Sequence, residues 1–243
     1  PFDLQGLSVD DLIDLTPELR AEAEKIVSEY RIGPLFTPPS LQDDPSGTKG
    51  TLYYPGGNGG ALWDSAAVDP ETGVLFITSF TNIRRLGMVE SDASDMNYVR
   101  GSTLFRGPQG LPLTRPPWGR ITAIDLNTGE HLWMVPNGET PDDVKEYLTS
   151  RGLSVPKTGN SVRGGVLATK TLLFAGAAER LVGDRVLQAI DKKTGEPLRD
   201  ARVIERVAAA FETEGGDAWF ASDPQRFLGN DYSAADFEQV SDV

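Results

Sequence analysis

Three copies of one short pattern, Ala-x-Asp-x-x-Thr-Gly, constrain this chain more than any other feature. Ala67-Val68-Asp69-Pro70-Glu71-Thr72-Gly73 recurs as Ala123-Ile124-Asp125-Leu126-Asn127-Thr128-Gly129. It recurs again as Ala189-Ile190-Asp191-Lys192-Lys193-Thr194-Gly195. The chemistry is that of a reversing turn. An Asp carboxylate can accept backbone N–H groups of the turn, Thr adds a second local bond, and Gly takes the positive φ that lets the chain come back. Asp69, Asp125 and Asp191 are metal ligands by residue type, but their shared turn context assigns them to structural hydrogen bonding. Around the repeats lie short apolar runs, at Thr51–Tyr54, Leu62–Val68, Val74–Ser79, Arg120–Asp125, His131–Val135, Gly165–Thr169, Leu172–Ala175 and Arg185–Ile190. Gly- and Pro-rich clusters such as Pro55-Gly56-Gly57-Asn58-Gly59-Gly60 separate them. Short strands with such turns indicate a sandwich, barrel or propeller, and the repeat selects the propeller. The Asp positions are 56 and 66 residues apart, against roughly 40–50 for a propeller blade. The expectation is therefore a mainly β, partial propeller, with the three copies as hairpin turns on successive blades that carry loop insertions. In the second copy Trp133 lies four residues past the glycine, where a large ring can fill the space between adjacent sheets.

The chain of 243 residues has 36 acids against 23 bases, a net charge of −13, no cysteine and one histidine, His131. Disulfide frameworks and thiolate zinc sites are excluded, and so is a multi-histidine metal site. The acidic balance argues against nucleic acid and anionic membranes as partners. No apolar run approaches the ~20 residues of a membrane-spanning helix. His131 reads as an ordinary β position rather than a general base. Asp92, Asp95 and Asn97 lack the glycine and closing glutamate of a calcium loop and read as a solvated insertion. Gly56–Gly60 has no following Lys-Ser/Thr and so is no phosphate loop.

Helices are expected at both ends. Ser8 and Asp11 form a capping box with Asp in place of Glu. Thr16 caps a second helix with Pro17 at its first position; Leu19, Ala23, Ile26, Val27 and Tyr30 form its apolar stripe and Gly33 stops it. Near the other end Val203, Ile204, Val207, Ala208 and Phe211 make a helical face after Asp200, ended by Gly215-Gly216. The division that follows is a helical lead-in over 1–33, a β body over 34–195 and a helical tail over 196–243. Both termini read like the interior of a longer protein, and no signal peptide opens the chain.

Ala123-x-Asp125-x-x-Thr128-Gly129-x-x-x-Trp133 resembles the tryptophan-docking repeat of pyrroloquinoline-quinone (PQQ) dehydrogenases. Arg31-Ile32-Gly33-Pro34-Leu35-Phe36-Thr37-Pro38-Pro39-Ser40 is similar to the stretch leading into a late blade of the membrane-type glucose dehydrogenase-like quinoproteins. Gly59-Gly60-Ala61-Leu62-Trp63 through Gly73 resembles their Gly-Gly-x-Asn-Trp segment, with Leu62 in place of Asn. Gly164-Gly165 through Gly176 resembles the strand pair of their last full blade. The likeness covers residues 1 to about 195. It implies the C-terminal portion of an eight-bladed propeller whose catalytic aspartate lies in an earlier blade. It also implies a periplasmic location, a sugar or alcohol substrate and a quinone acceptor. The reaction implied moves hydride to the PQQ carbonyl, polarised by Ca2+ or Mg2+, while the aspartate takes the hydroxyl proton. From about residue 190 the chain, Asp191-Lys192-Lys193-Thr194-Gly195 onward to Val243, is similar instead to a segment of bacterial isoleucyl-tRNA synthetase. The seam falls at about 188–200, and the chain reads as a chimera of two incomplete parts.

PQQ is a flat polyanion that needs a stacking ring and cationic or N–H donors. Trp63 is the expected ring, and Arg163 beside Gly164 the expected carboxylate partner. Trp118 is the third candidate for the wall, although loop anchoring is the stronger reading of it. The expected outcome is a dehydrogenase portion without turnover of its own, lacking the earlier blades. The alternatives are a synthetase fragment or a propeller module that only binds partners.

Overall fold

The structure is a computed structural model, and it describes residues 1–42, 48–57, 59–61, 65–92, 94–161, 164–178 and 185–198. The strands described are β1 (Ser40–Leu41), β2 (Thr51–Tyr53), β3 (Ala66–Asp69), β4 (Val74–Phe80), β5 (Arg84–Glu90), β6 (Tyr98–Leu104), β7 (Gly119–Asp125), β8 (His131–Pro136), β9 (Val166–Ala168), β10 (Leu172–Ala178) and β11 (Arg185–Asp191). Two helices accompany them, α1 (Pro17–Val27) and α2 (Asp142–Thr149). The protein is mainly β, and the described strands form three sheets, none of them closed on itself. All eight strand segments read from the sequence correspond to strands, with shifted ends. The Leu62–Val68 segment is described from Ser65, and its strand begins at Ala66. The helix expected after Asp200 lies outside the described residues.

The chain divides into two compact units. The first holds residues 1–62, 79–120 and 139–161. At its start the Ser8 backbone N–H and hydroxyl both donate to Asp11 Oδ2, at 2.8 and 2.6 Å, fixing a single 3-10 turn. Thr16 Oγ1 accepts the Leu19 N–H at 3.3 Å and Pro17 opens α1. This helix buries Leu19, Ala23 and Val27 but stops at Val27, not at Gly33. Gly33 has a different role. A Cβ there would stand 2.6 Å from Thr37 Oγ1, and its carbonyl accepts the Leu7 N–H at 2.9 Å. Leu12, Ile13, Leu19, Leu113, Trp118 and Val144 close the core of this unit.

β1, β5, β2 and β6 form a sheet here, with β5 paired antiparallel to β2 and β6 and parallel to β1. The β5–β6 hairpin and α2 escape the sequence reading. Arg84-Arg85-Leu86-Gly87 and Arg100-Gly101-Ser102-Thr103 do not alternate apolar with polar, so no period-2 signal exists. The glycines are there for packing. Gly87 pairs with Gly101, and a Cβ on either would press on the Gln42 side chain, at 2.8 and 3.3 Å.

The same unit buries an ion pair that the sequence does not announce. Arg120 and Asp3 are bonded to each other with side chains 7% and 6% exposed. Arg120 also donates to Thr81 Oγ1 and to the Pro117 carbonyl, both at 2.9 Å. The Tyr54 hydroxyl donates to Asp3 Oδ2 at 2.5 Å and accepts from Arg120 at 3.1 Å. Burial raises the Tyr54 phenol well above its ordinary range, so it stays a donor. Gly60 packs its bare Cα against the Asp3 carboxylate and the Tyr54 hydroxyl, leaving no room for a side chain.

The second unit is described over residues 65–78, 121–138, 164–178 and 185–198. Its two sheets have the orders β3-β4-β7-β8 and β11-β10-β9. β3 pairs antiparallel with β4, and β10 pairs antiparallel with both β9 and β11. Phe76, Ile121, Ala123, Leu173, Ala175 and Ile190 form the core. One expectation is overturned here. The first two Ala-x-Asp-x-x-Thr-Gly copies are turns of one sheet, joining β3 to β4 and β7 to β8. Their 56-residue spacing is therefore not a blade period; most of it is an insertion, residues 81–118, between β4 and β7 that carries β5 and β6. Only the 66-residue step from Asp125 to Asp191 passes from one sheet to the other.

A buried pair broken on one side leaves an uncompensated charge. Asp3→Leu or Arg120→Met should each lower unfolding stability by ~3–5 kcal/mol, while the double variant Asp3→Leu with Arg120→Met should lose less than either alone. Urea denaturation of the four proteins is the check; losses in the double variant equal to the sum would refute the coupling.

Candidate functional site

The three turns share one hydrogen-bond plan. Gly73, Gly129 and Gly195 donate their N–H to the carbonyls of Asp69, Asp125 and Asp191 at 2.9, 2.7 and 2.9 Å. The Asp carboxylates accept the N–H groups of Glu71, Asn127 and Lys193 at 3.0, 2.7 and 2.7 Å. Thr128 and Thr194 accept the N–H groups of Glu130 and Glu196, each at 3.2 Å. The glycines have φ of 71°, 76° and 77°, in the left-handed region where a side chain is strained.

Trp133, on the outer strand β8, joins the second copy to the third. Its Nε1–H donates to the Lys192 carbonyl at 3.0 Å. Its ring lies over Gly195, where a Cβ would stand 2.7 Å from Cε3. On the other side it meets Phe76, with centroids 5.8 Å apart and planes at 35°. The expectation of a largely buried ring is moderated: Trp133 is partly buried, packed against the core rather than enclosed by it. Ala123, in β7 beside it, is wholly buried.

Lys192 is the residue that sequence reasoning missed. Its ammonium donates to Asp69 Oδ2 at 2.5 Å and to the Thr169 carbonyl at 2.7 Å, with side chains of the pair 11% and 6% exposed. It thus ties the third copy to the first, while its carbonyl holds the Trp of the second. The signal was present: the residue after Asp is Pro70 and Leu126 in the other copies, and basic only here. The Lys192 bond holds the Asp69 carboxyl down at about 2, from an ordinary 3.8, with Thr72 and the Glu71 N–H adding to it against the opposing effect of burial.

The residues expected to face a cofactor are distributed as follows. Trp63 and Arg163 lie outside the described residues. Gly164 approaches the Gly176 carbonyl so closely that no Cβ fits, and its own carbonyl accepts the Thr78 hydroxyl at 2.5 Å. Trp118 is 1% exposed; its Nε1–H donates to Thr114 O at 2.8 Å and its backbone N–H to Thr158 O at 2.9 Å. His131 is exposed at the start of β8. Among the described residues no cluster of three or more acidic or His side chains is placed to hold a metal ion.

Sheets whose strands reverse at Asp-anchored turns, with a Trp of one seated on the turn glycine of the next, define a repeat-built β protein of the propeller type. The family described as "PQQ: Glucose/ethanol/alcohol dehydrogenase, beta-propeller domain" matches residues 1–213, and the chain belongs to it. It is 28% identical over 225 residues to the quinate/shikimate dehydrogenase (quinone) of Acinetobacter baylyi, covering 82% of this chain and 26% of that protein. It is 30% identical over 200 residues to the glycerol dehydrogenase large subunit of Gluconobacter thailandicus, covering 68% of this chain and 25% of that one. A different likeness is confined to 65 residues, 43% identical to the isoleucine–tRNA ligase of Gluconobacter oxydans, or 27% of this chain and 7% of the ligase. The chain spans about a quarter of the dehydrogenases it matches and under a tenth of the ligase.

The family points to PQQ, whose three carboxylates call for cationic or N–H donors. Of the described candidates, the Trp118 indole N–H is spent on the Thr114 carbonyl, and the bond known for Gly164 is to its carbonyl, an acceptor.

Two outcomes follow from the docked turns. Trp133→Ala should cost ~3 kcal/mol, the lower end for a large aromatic because the ring is only partly buried. Gly195→Ala should destabilise as well, since the new methyl meets the indole at a positive φ; near-wild-type melting of both would dismiss the docking role. The Lys192–Asp69 bond also sets an acid response. A carboxyl held below its unfolded value stabilises above pH ~4 and loses that contribution as pH falls toward 2. Unfolding midpoints of wild type and Lys192→Met should therefore differ at pH 6 and converge near pH 2; a gap unchanged with pH would contradict the assignment.

Proposed function

We propose that this chain supplies C-terminal blades to a PQQ-dependent dehydrogenase of the glucose dehydrogenase-like kind. The whole assembly oxidises a sugar or alcohol hydroxyl and delivers the electrons to a quinone, in the periplasm. The chain contributes part of the cofactor's surround, with Trp63 as ring and Arg163, next to Gly164 in the sequence, as carboxylate partner. It does not contribute the base that takes the hydroxyl proton; that group and the Ca2+ or Mg2+ ligands belong to other blades. The observation that carries this reading is Trp133 seated on Gly195, the blade-to-blade contact of a propeller, in a chain that spans a quarter of its dehydrogenase relatives. Residues 196–243 form a tail of separate origin joined to the propeller part, which makes the chain a chimera. The likeness to the ligase supports that part of the reading.

The chain alone, given PQQ, calcium and glucose, should show no dye-linked turnover. A few blades would leave the cofactor in water with a fraction of its contacts. Turnover should appear when the remaining blades are supplied on a second polypeptide, and should fall at least tenfold in Trp63→Ala and in Arg163→Ala. Activity that ignores both substitutions would overturn the assignment. Isoleucine-dependent pyrophosphate exchange should be silent; a signal there would favour the ligase reading of the tail.

A further inference from the structure

Arg84 is a half-buried cation in a chain with 36 acids against 23 bases, yet none of the ion pairs among the described residues uses it. It stands in β5 directly opposite Tyr53 of β2 and Leu104 of β6, so the three side chains leave the sheet on one face. Its Nε–H donates to the Ser102 hydroxyl at 3.2 Å. That bond fixes the guanidinium plane and leaves both terminal nitrogens without a partner among the described residues. The Tyr53 hydroxyl, on a half-buried ring, likewise makes no hydrogen bond within them. The stretch Pro55-Gly56-Gly57 after β2 lies over this arginine. Gly56 is glycine for packing: a Cβ there would collide with the Asn82 carbonyl oxygen and press on Arg84 Cγ at 3.1 Å. Gly57 differs. Its φ lies outside the left-handed region, and a Cβ would make only ordinary contacts, with Tyr53 Oη at 3.4 Å, Arg84 Cδ at 3.8 Å and Arg84 Nε at 4.0 Å. Neither backbone nor crowding requires glycine at 57. What the missing side chain leaves is a gap with a phenol on one side and a guanidinium on the other.

We infer that Tyr53, Gly57 and Arg84 form a binding site for the carboxylate of a small organic acid. The two terminal nitrogens of Arg84 meet the two carboxylate oxygens as a fork, and the Tyr53 hydroxyl donates to one of those oxygens. Ser102 holds the fork in plane from behind. One cation and one neutral donor match a monoanion; a phosphate dianion brings more charge and more acceptors than these groups satisfy. Leu104, 54% exposed and in register with Arg84, offers the rest of the acid an apolar edge. The site lies wholly within the first unit and is independent of the PQQ reading.

The test titrates the full chain with sodium acetate at constant ionic strength, with neutral acetamide as the control, and follows the Gly57 amide and the Arg84 Nε–H by NMR. Both resonances should shift and saturate with acetate and stay in place with acetamide. Affinity should fall by roughly fivefold or more in Arg84→Lys, which keeps the charge but loses the fork, and in Tyr53→Phe. Gly57→Ala should melt like wild type, since its methyl meets no clash, yet bind acetate more weakly by a similar factor because the methyl fills the gap. That variant keeps the test decisive should Arg84→Lys fold poorly. Shifts that never saturate, full acetate affinity in Gly57→Ala or in Arg84→Lys, or tighter binding of inorganic phosphate than of acetate would each overturn the site. No PQQ is present in the titration, so the site and the cofactor reading fail separately.

Discussion

One ammonium group organises the second unit. Lys192 Nζ reaches Asp69 and the Thr169 carbonyl while the Lys192 carbonyl takes the indole N–H of Trp133. Three turns far apart in the chain meet through that single residue. A buried ion pair is weak evidence of net stability, because desolvation opposes the attraction. What it provides is placement. With an 11%-exposed ammonium and a 6%-exposed carboxylate, any other register leaves a charge unpaired out of water. Trp133 and Gly195 supply the attraction, and Lys192 supplies the register.

The first unit solves the same problem with different residues. Asp3, Tyr54, Thr81, Pro117 and Arg120 come from four stretches of chain, and their hydrogen bonds engage both terminal nitrogens of the guanidinium and both oxygens of the carboxylate. Gly60 is bare so that the carboxylate can sit on it. In both units, then, an ion pair with tightly packed glycines fixes how loops meet, and the apolar core fills in around it. That division of labour suits a chain made of short strands, whose few apolar residues per strand specify register poorly.

Membership in the PQQ dehydrogenase propeller family accounts for the repeats and the docking Trp. It does not by itself make a cofactor site of the described residues. Gly164 and Trp118 are explained by packing and internal hydrogen bonds.

The sequence by itself determined the turns, the strands beside them, the capped helix at Pro17 and the family. Each of these is a local pattern, in which the bonding partners lie within a few residues and the side chains carry the signal. It could not show that the copies at Asp69 and Asp125 share one sheet, because strand order depends on pairing between distant segments. It was silent on the β5–β6 hairpin, where Gln42 rather than alternation explains the glycines. It was silent also on Arg120–Asp3 and Lys192–Asp69, separated by 117 and 123 residues. Only the tertiary structure decides which acid meets which base, because in an acidic chain every cation has many possible partners and burial alone selects one.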